Sequence, residues 1–303
     1  MSSEVAELYR AHRGFLWRLV YRLTGNAADA EDIVQETFVR AISRPPADAS
    51  RPWRPWLVQV ALNLGRDALR KRRRREYQGM WLPSPIEAEP PSHEPVDESG
   101  NPAARYDQLE SLSFAFLLAL EALSPLQRAV LLLRDVFDYS VRETAEALAV
   151  SEANVKTSHL RARRAMAGYD SVRLPQQGDR NRNAFERFLS LVSAGDVAGV
   201  ESMLAADVVT LSDSAGEFLS AAVPVKGRGN VAKLFISLAK KLPPARVEPR
   251  ILNGVWSCIM ERPPLPGLAP RWVLQADVDP EGHIRRIYIV LASRKLTAVR
   301  PLQ

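Results

Sequence analysis

The chain has 303 residues, 46% of them apolar and 25% charged, with a formal net charge of +6; this is the balance of two or three globular domains and excludes a disordered or fibrous chain. Cys258 is the only cysteine, which excludes an intramolecular disulfide and fits a reducing compartment. The first residues lack the basic-then-apolar order of a secretory signal, and the most apolar stretch, 112–123, is short and broken by Ser113 and Glu121, so a soluble cytoplasmic protein without a membrane partner is expected.

Residues 4–75 read as helices. Leu8, Phe15, Leu16, Leu19 and Leu23 recur at helical spacing, and Gly25-Asn26 stops the helix. A second helix spans about 28–43, with Ile33, Val34, Phe38 and Ile42 on its apolar side and Asp29, Glu31, Asp32, Gln35 and Glu36 outward. Carboxylates repel DNA, so this face suits a basic protein surface. Pro45, Pro46, Pro52 and Pro55 predict a loop. The third helix runs from Trp56, carries Asn63, Arg66, Asp67 and Arg70, and continues through the basic run 70–75, whose Lys71, Arg72, Arg73 and Arg74 suit phosphates. Arg51, Trp53 and Arg54 lie just before it, and an aromatic among cations suits unstacked bases. Of the two tryptophans, Trp53 is expected exposed and Trp56 in the core, at the start of the apolar stripe.

From 78 to 102 the composition turns to Pro, Ser, Glu and Asp, which cannot bury enough surface to order a domain and reads as a linker. Helical periodicity resumes near 108 and lasts to about 169. Within it, residues 140–160 have helix-turn-helix spacing. Ala145 is small enough for two helices to cross closely, and Leu148, Val150, Val155 and Leu160 are expected to fill the angle between them. Ser151 is the expected cap of the second helix. Ala149 stands where glycine is usual in the turn, a position that costs an alanine some strain. The helix 151–164 is expected in a major groove, beginning at Ser151 and Glu152. Asn154, Lys156, Thr157 and His159 then face base edges, and Arg161, Arg163 and Arg164 face phosphates.

After a polar stretch at 173–181 the pattern changes. Helices at about 183–194, 197–205 and 230–241 accompany strand-like runs at 208–212, 218–225, 247–252, 255–260, 271–278 and 284–291. The last two are joined by the turn Asp279-Pro280-Glu281-Gly282. An α+β domain with a curved antiparallel sheet is expected.

Two of these segments carry a resemblance. Asp29-Ala30-Glu31-Asp32-Ile33-Val34-Gln35-Glu36-Thr37-Phe38, with Pro55-Trp56-Leu57 and Ala61-Leu62-Asn63, resembles region 2 of bacterial extracytoplasmic-function (ECF) sigma factors. Leu123-Ser124-Pro125-Leu126-Gln127-Arg128-Ala129-Val130, with Val136-Phe137-Asp138-Tyr139 and the helix-turn-helix, resembles region 4. The likeness covers about 1–170. It implies an all-α region 2 domain (1–78), a linker (79–107) and an all-α helix-turn-helix region 4 domain (108–172); the helices followed by a bent sheet at 182–303 resemble an α+β SnoaL-like (NTF2-like) cone domain, so a multidomain chain is expected. The likeness further implies a sigma factor that binds core RNA polymerase, at the β′ clamp helices and the β flap, and directs it to promoter DNA. Asp29, Glu31, Asp32, Gln35, Glu36 and Phe38 would then meet the clamp helices. Arg51, Trp53, Arg54, Asn63, Arg66, Asp67, Arg70, Lys71, Arg72, Arg73 and Arg74 would serve the −10 element. Ser151, Glu152, Asn154, Lys156, Thr157, His159, Arg161, Arg163 and Arg164 would serve the −35 element. No cofactor or metal is implied, and an anti-sigma partner stays open.

A subgroup of the family carries the C-terminal extension. Trp81-Leu82-Pro83-Ser84-Pro85 is similar to its Trp-Leu-Pro-Glu-Pro motif. Asp213-Ser214-Ala215-Gly216-Glu217 stands where the subgroup has Asp-Gly-Gly-Gly-Lys, and Ala292-Ser293-Arg294-Lys295-Leu296 where it has Asn-Pro-Asp-Lys-Leu. Trp81, Leu82, Pro83, Pro85, Asp213, Gly216 and Lys295 are therefore the candidate regulatory residues of a domain acting in cis on the sigma core. Because the cone fold also houses isomerases and hydrolases, an enzyme or a ligand-sensing regulator is the competing reading, with Asp213, Asn253, Trp256, His283 and Tyr288 as candidates. Asp213 is more simply a turn carboxylate and His283 an exposed hairpin residue. Fold analogy alone supplies no reaction, so a regulatory domain is the expectation.

Overall fold

The computed structural model describes residues 2–48, 50–74, 77, 79–87, 106, 110–171 and 178–302. It divides into two compact units, Met1–Glu76 with Glu89–Leu174, and Tyr77–Ala88 with Pro175–Gln303. The two expected helical domains thus form one unit, and the start of the expected linker belongs to the other. Most of the rest of that linker, and most of the polar stretch at 173–181, lies outside the described residues.

The first unit contains α1 (Ser2–Thr24), α2 (Ala27–Ser43), α3 (Trp53–Arg74), α4 (Phe114–Ala119), α5 (Pro125–Asp135), α6 (Val141–Leu148) and α7 (Glu152–Ser171). Local chemistry sets the ends. Asn26 caps α2 by accepting from the Ala28 and Asp29 amides. Ser124 with Gln127 and Ser140 with Glu143 form capping boxes on α5 and α6. α3 starts three residues before the expected Trp56. Pro55, expected in the loop, sits in its first turn, where the missing amide would have no helical partner.

Leu16, Leu19 and Leu23 of α1 pack with Val34 of α2 and Leu57, Val58 and Leu62 of α3 as a buried core. A Cβ on Gly65 would stand 2.5 Å from a Leu23 methyl, so α1 and α3 approach through that glycine. Ile42, expected on the apolar side of α2, is instead 56% exposed, beside Val39. The buried stripe of α2 runs through Ala30, Val34, Phe38 and Ala41, and Ile42 falls one residue past it.

In the helix-turn-helix, Leu148 and Val155 are buried as expected, but Leu160 is 52% exposed. The inner stripe of α7 is Val155, Ser158, Ala162 and Met166, and at 100° per residue Leu160 lies on the far side from it. Ala149 has φ 52° and ψ 49°, the left-handed conformation expected to strain it.

The second unit contains α8 (Gly178–Ala194), α9 (Val197–Met203), β1 (Leu204–Asp213), β2 (Val225–Lys226), α10 (Arg228–Lys241), β3 (Arg246–Leu252), β4 (Val255–Glu261), β5 (Arg271–Val278) and β6 (Ile284–Val290). The sheet order is β2-β1-β6-β5-β4-β3. It is mixed, not antiparallel throughout, because β6 runs parallel to β1. The chain leaves β1 through α10, builds β3 to β6 as successive hairpins, and so returns β6 to β1 in the same direction. The expected strand at 218–225 is absent: only Val225 and Lys226 pair, while Leu219 and Val223 are exposed and Pro224 lacks an amide donor.

The helices cover one face of this sheet. Phe188 meets Phe235 edge to face at 5.3 Å, and Cys258, Leu274, Ala276, Ile287 and Ile289 join them in the core. The alternate residues Ile259, Val273, Gln275, Tyr288 and Val290 face the other way and are buried too, together with Leu82, Ile86, Leu296 and Val299.

Replacing Ala149 with glycine removes the Cβ that disfavours the left-handed turn. Ala149→Gly should stabilise the first unit by about 1 kcal/mol and raise its midpoint by about 2–4 °C in a thermal melt; a lower midpoint would contradict this account of the turn.

Candidate nucleic-acid and polymerase interface

On α2, Asp32, Gln35 and Glu36 are exposed, and so are Val39 and Ile42 just beyond them. Asp29 and Glu31 are half-buried, and Arg13 holds Glu31 at 3.2 Å. Phe38 does not belong to this surface. It is 5% exposed and meets Tyr9 edge to face at 4.9 Å, on the stripe that packs inward.

The basic helix α3 splits in two. Asn63, Asp67, Arg70, Lys71 and Arg74 are exposed, with Asp67 and Arg70 paired at 2.7 Å. Arg72 faces inward: it grips both Glu121 oxygens at 2.6 and 2.7 Å and donates to the Thr24 carbonyl at 2.9 Å. Arg73 donates to the Leu123 carbonyl, and the half-buried Arg66 reaches the Leu148 carbonyl at 3.5 Å. These three cations hold the first unit together, so their placement departs from the expected DNA-facing run. The reason is that α3 continues past the core and its last turns meet the carbonyls and carboxylate around 120–123. Before α3, Arg51 pairs with Asp48 at 3.1 Å and Arg54 lies 4.1 Å over the Phe15 ring. Trp53 and Trp56 are both half-buried, edge to face at 6.0 Å, so neither is the free aromatic nor the core residue expected.

On α7, Ser151 accepts from the Asn154 amide at 3.2 Å, the expected cap. Glu152, Asn154, Lys156, Thr157, Arg161 and Arg164 are exposed. His159 is not: its Nε2 lies 2.7 Å from Asp135 Oδ1 and its side chain is 20% exposed. Arg163 approaches the other Asp135 oxygen at 3.7 Å. Asp135, at the end of α5, thus turns two of the expected DNA-facing residues aside, and nothing in its own sequence neighbourhood marks it.

In the second unit, Asp213 holds its turn as expected, through the Ala215 amide, and it is also fully buried. Its Oδ1 accepts from the Tyr77 hydroxyl at 2.7 Å and the Ala215 amide at 3.0 Å; its Oδ2 accepts from the Leu82 amide at 2.7 Å and from Lys295. Lys295 also donates to the Leu82 carbonyl, and its ammonium stands 5.0 Å from the Tyr77 ring centre and 4.5 Å from that of Trp81. Trp81, Leu82, Asp213 and Lys295 are therefore one cluster, with Pro83 and Pro85 buried next to it in sequence. Gly216 supplies φ 77° in the turn that closes with a 2.8 Å bond from the Glu217 amide to the Ser214 carbonyl. Further along the segment, the Ile86 amide donates to Asn253 Oδ1, and Glu87 pairs with Arg250 at 2.7 Å and with Arg300. Sequence reasoning missed Tyr77 and Glu87 because their partners lie far along the chain.

The competing enzyme candidates do not converge. Asp213 is taken by the cluster, Asn253 by Ile86, and His283 sits in its hairpin near Asp279 at 3.6 Å. Tyr288 donates to Asp277, and burial raises both groups. Arg182 covers the Trp256 ring at 4.6 Å. Among the described residues, no group of three or more His, Cys, Asp or Glu side chains could hold a metal, and no helix is long and apolar enough to cross a membrane.

Residues 8–75 match the Sigma-70 region 2 family and residues 113–166 the Sigma-70, region 4 family. The ECF RNA polymerase sigma factor SigJ of Mycobacterium tuberculosis is 35% identical over 243 residues, covering 80% of this chain and 75% of that protein. SigG of the same organism is 32% identical over 210 residues, 62% of this chain and 56% of that protein. The crystal structure of M. tuberculosis SigJ superposes with a TM-score of 0.70 at 28% identity, covering 98% of this chain and all of that one. Sigma-70 regions 2 and 4 carried together on one helical unit define a transcription-initiation protein. The chain belongs to the ECF RNA polymerase sigma factors, in the subgroup with a C-terminal SnoaL-like domain; it binds core RNA polymerase and directs it to promoter DNA.

Two outcomes test the Asp213 cluster and the neighbouring Glu87. Asp213→Ala leaves the Lys295 ammonium buried without its carboxylate, so the second unit should lose about 3–5 kcal/mol in denaturant unfolding, and residues 77–87 should become protease-sensitive. Burial raises the Glu87 carboxyl, but hydrogen bonds from Arg300 and Arg250 outweigh it and hold the pKa below its ordinary value. Its charge then contributes stability above the unfolded pKa that is lost as pH falls through the folded one. Protection of the amides around residues 86 and 87 against hydrogen exchange, taken relative to the intrinsic rate at each pH, should therefore fall in acid, and Glu87→Gln should flatten that dependence.

Proposed function

We propose that α2 docks on the β′ clamp helices of the polymerase through Asp32, Gln35 and Glu36, with Val39 and Ile42 as the apolar part of the contact and Asp29 and Glu31 at its edge. Arg51, Trp53, Asn63, Arg70 and Lys71 engage and open the −10 element. The exposed side of α7 reads the −35 element, while its module meets the β flap. The observation that carries this reading is the division of charge on the first unit: carboxylates lie outward on α2, whereas cations lie outward on α3 and α7. Acidic and basic surfaces of this kind select a basic protein and a phosphate backbone respectively. The chain works in the cytoplasm, where core polymerase and promoter are found.

The C-terminal domain is regulatory and not catalytic. Both Asp213 oxygens are already occupied by four donors from the protein itself, which leaves that carboxylate no role as a base. The cluster commits the segment that follows α3 to the C-terminal domain, and regulation in cis acts through that commitment.

Purified protein with core polymerase should transcribe specifically from the promoter upstream of its own gene; failure of both specific transcription and polymerase binding would overturn the reading. Lys156→Ala or Arg161→Ala should weaken −35-dependent initiation about tenfold and leave polymerase binding intact; loss of both together would count against the division of labour. Truncation after residue 172 should change promoter activity or polymerase affinity, and Lys295→Ala in the full chain should shift it in the same direction. No change in either variant would remove the regulatory proposal.

A further inference from the structure

We infer that Leu160 is a specificity determinant of −35 recognition and reads the C5-methyl group of a thymine in the major groove; this rests on the reading of α7 as the −35 helix. The rotation of α7 about its own axis is fixed from two sides. Val155, Ser158, Ala162 and Met166 are buried against the rest of the helix-turn-helix, and Asp135 holds His159 at 2.7 Å and Arg163 at 3.7 Å on the side of α5. Opposite the buried side lies the stripe Ala153, Thr157, Leu160 and Arg164, all exposed and spaced by three or four residues, with the exposed Asn154, Lys156 and Arg161 on its flanks.

The chemistry of that stripe is apolar at its centre. Thr157 gives its hydroxyl proton to the Ala153 carbonyl at 2.9 Å, so it has no proton to donate to a base. Leu160, two turns in from the start of α7, is 52% exposed with Arg161 and Arg164 beside it. Those cations suit phosphates on either side of a groove. An aliphatic side chain set among them makes no hydrogen bond to a base, and the methyl group offered by base edges in the major groove belongs to thymine. Leu160 therefore selects thymine by apolar contact, while the cations supply affinity that does not depend on sequence.

The test uses full-length protein assembled with core polymerase and promoter templates in which each −35 thymine, on either strand, is replaced singly by uracil, which removes only the methyl group. At one position the wild type should lose about fourfold in promoter binding, the worth of one buried methyl. Leu160→Ala should bind the thymine template about fourfold more weakly and show no further loss on uracil. Because Leu160 is exposed, its melting midpoint should match the wild type. Sensitivity to uracil that survives in Leu160→Ala, or its absence in the wild type at every position, overturns the proposal alone. A wild type with no −35 dependence on any template overturns the reading of α7 as well.

Discussion

Arg128 is 1% exposed, and a guanidinium taken out of water has to be met by acceptors. It donates to the Leu23 carbonyl at the end of α1 at 3.0 Å, to the Leu120 carbonyl at 2.7 Å and to Glu121 at 2.7 Å, and the same Glu121 takes Arg72 from α3. Burial lowers the Arg128 pKa to about 10, which leaves it charged at neutral pH. Arg22 repeats the arrangement on a smaller scale, donating to Ser111 at 2.7 Å. Such buried charges add little net stability, but losing any one partner strands the rest. They fix how α1 to α3 meet α4 and α5, and they explain why Arg72 is unavailable to DNA.

The helices were legible because their signals are local: apolar periodicity, the stop at Gly25-Asn26 and the capping Ser151. What periodicity could not settle is which face turns inward where partners compete. Ile42 and Leu160, both expected inside, are exposed for that reason. His159 looked like a base reader because its partner Asp135 lies 24 residues earlier on another helix. The run 218–225 has the composition of a strand, but strands need a neighbour with matching register, and Pro224 and the loop geometry deny it one. The parallel pairing of β1 with β6 is equally hidden, since it depends on the whole path between them. In the second unit the motif resemblance gathered Trp81, Leu82, Asp213 and Lys295, though by likeness alone; the reason they belong together, a buried ion pair capped by aromatic rings, appears only in three dimensions.

The departures from the subgroup's motifs are absorbed locally. Ala215 stands where a glycine is usual and adopts φ 50°, a conformation that costs an alanine about 1–2 kcal/mol, offset in part by its amide bond to Asp213. Ser214 shares a hydroxyl contact with Ser220 at 2.9 Å. Glu217, in place of the motif's lysine, accepts from the Ser293 amide at 3.2 Å, so the two altered loops meet each other. Asp213, Gly216, Lys295 and Leu296 keep the motif residues, and the two charged ones among them are buried.

The Lys295 contact with Leu82 spans 213 positions of the chain. Closure over that distance cannot begin until residue 295 has left the ribosome, long after α1 to α3 have been made, and contacts of such separation are also the slow ones to form. During synthesis there is accordingly an interval in which α1 to α3 exist and the segment after α3 has nothing to dock on. The cluster at Asp213 records that the chain has been made through to its last strand, and a nascent or prematurely ended chain differs from the finished one at that segment first.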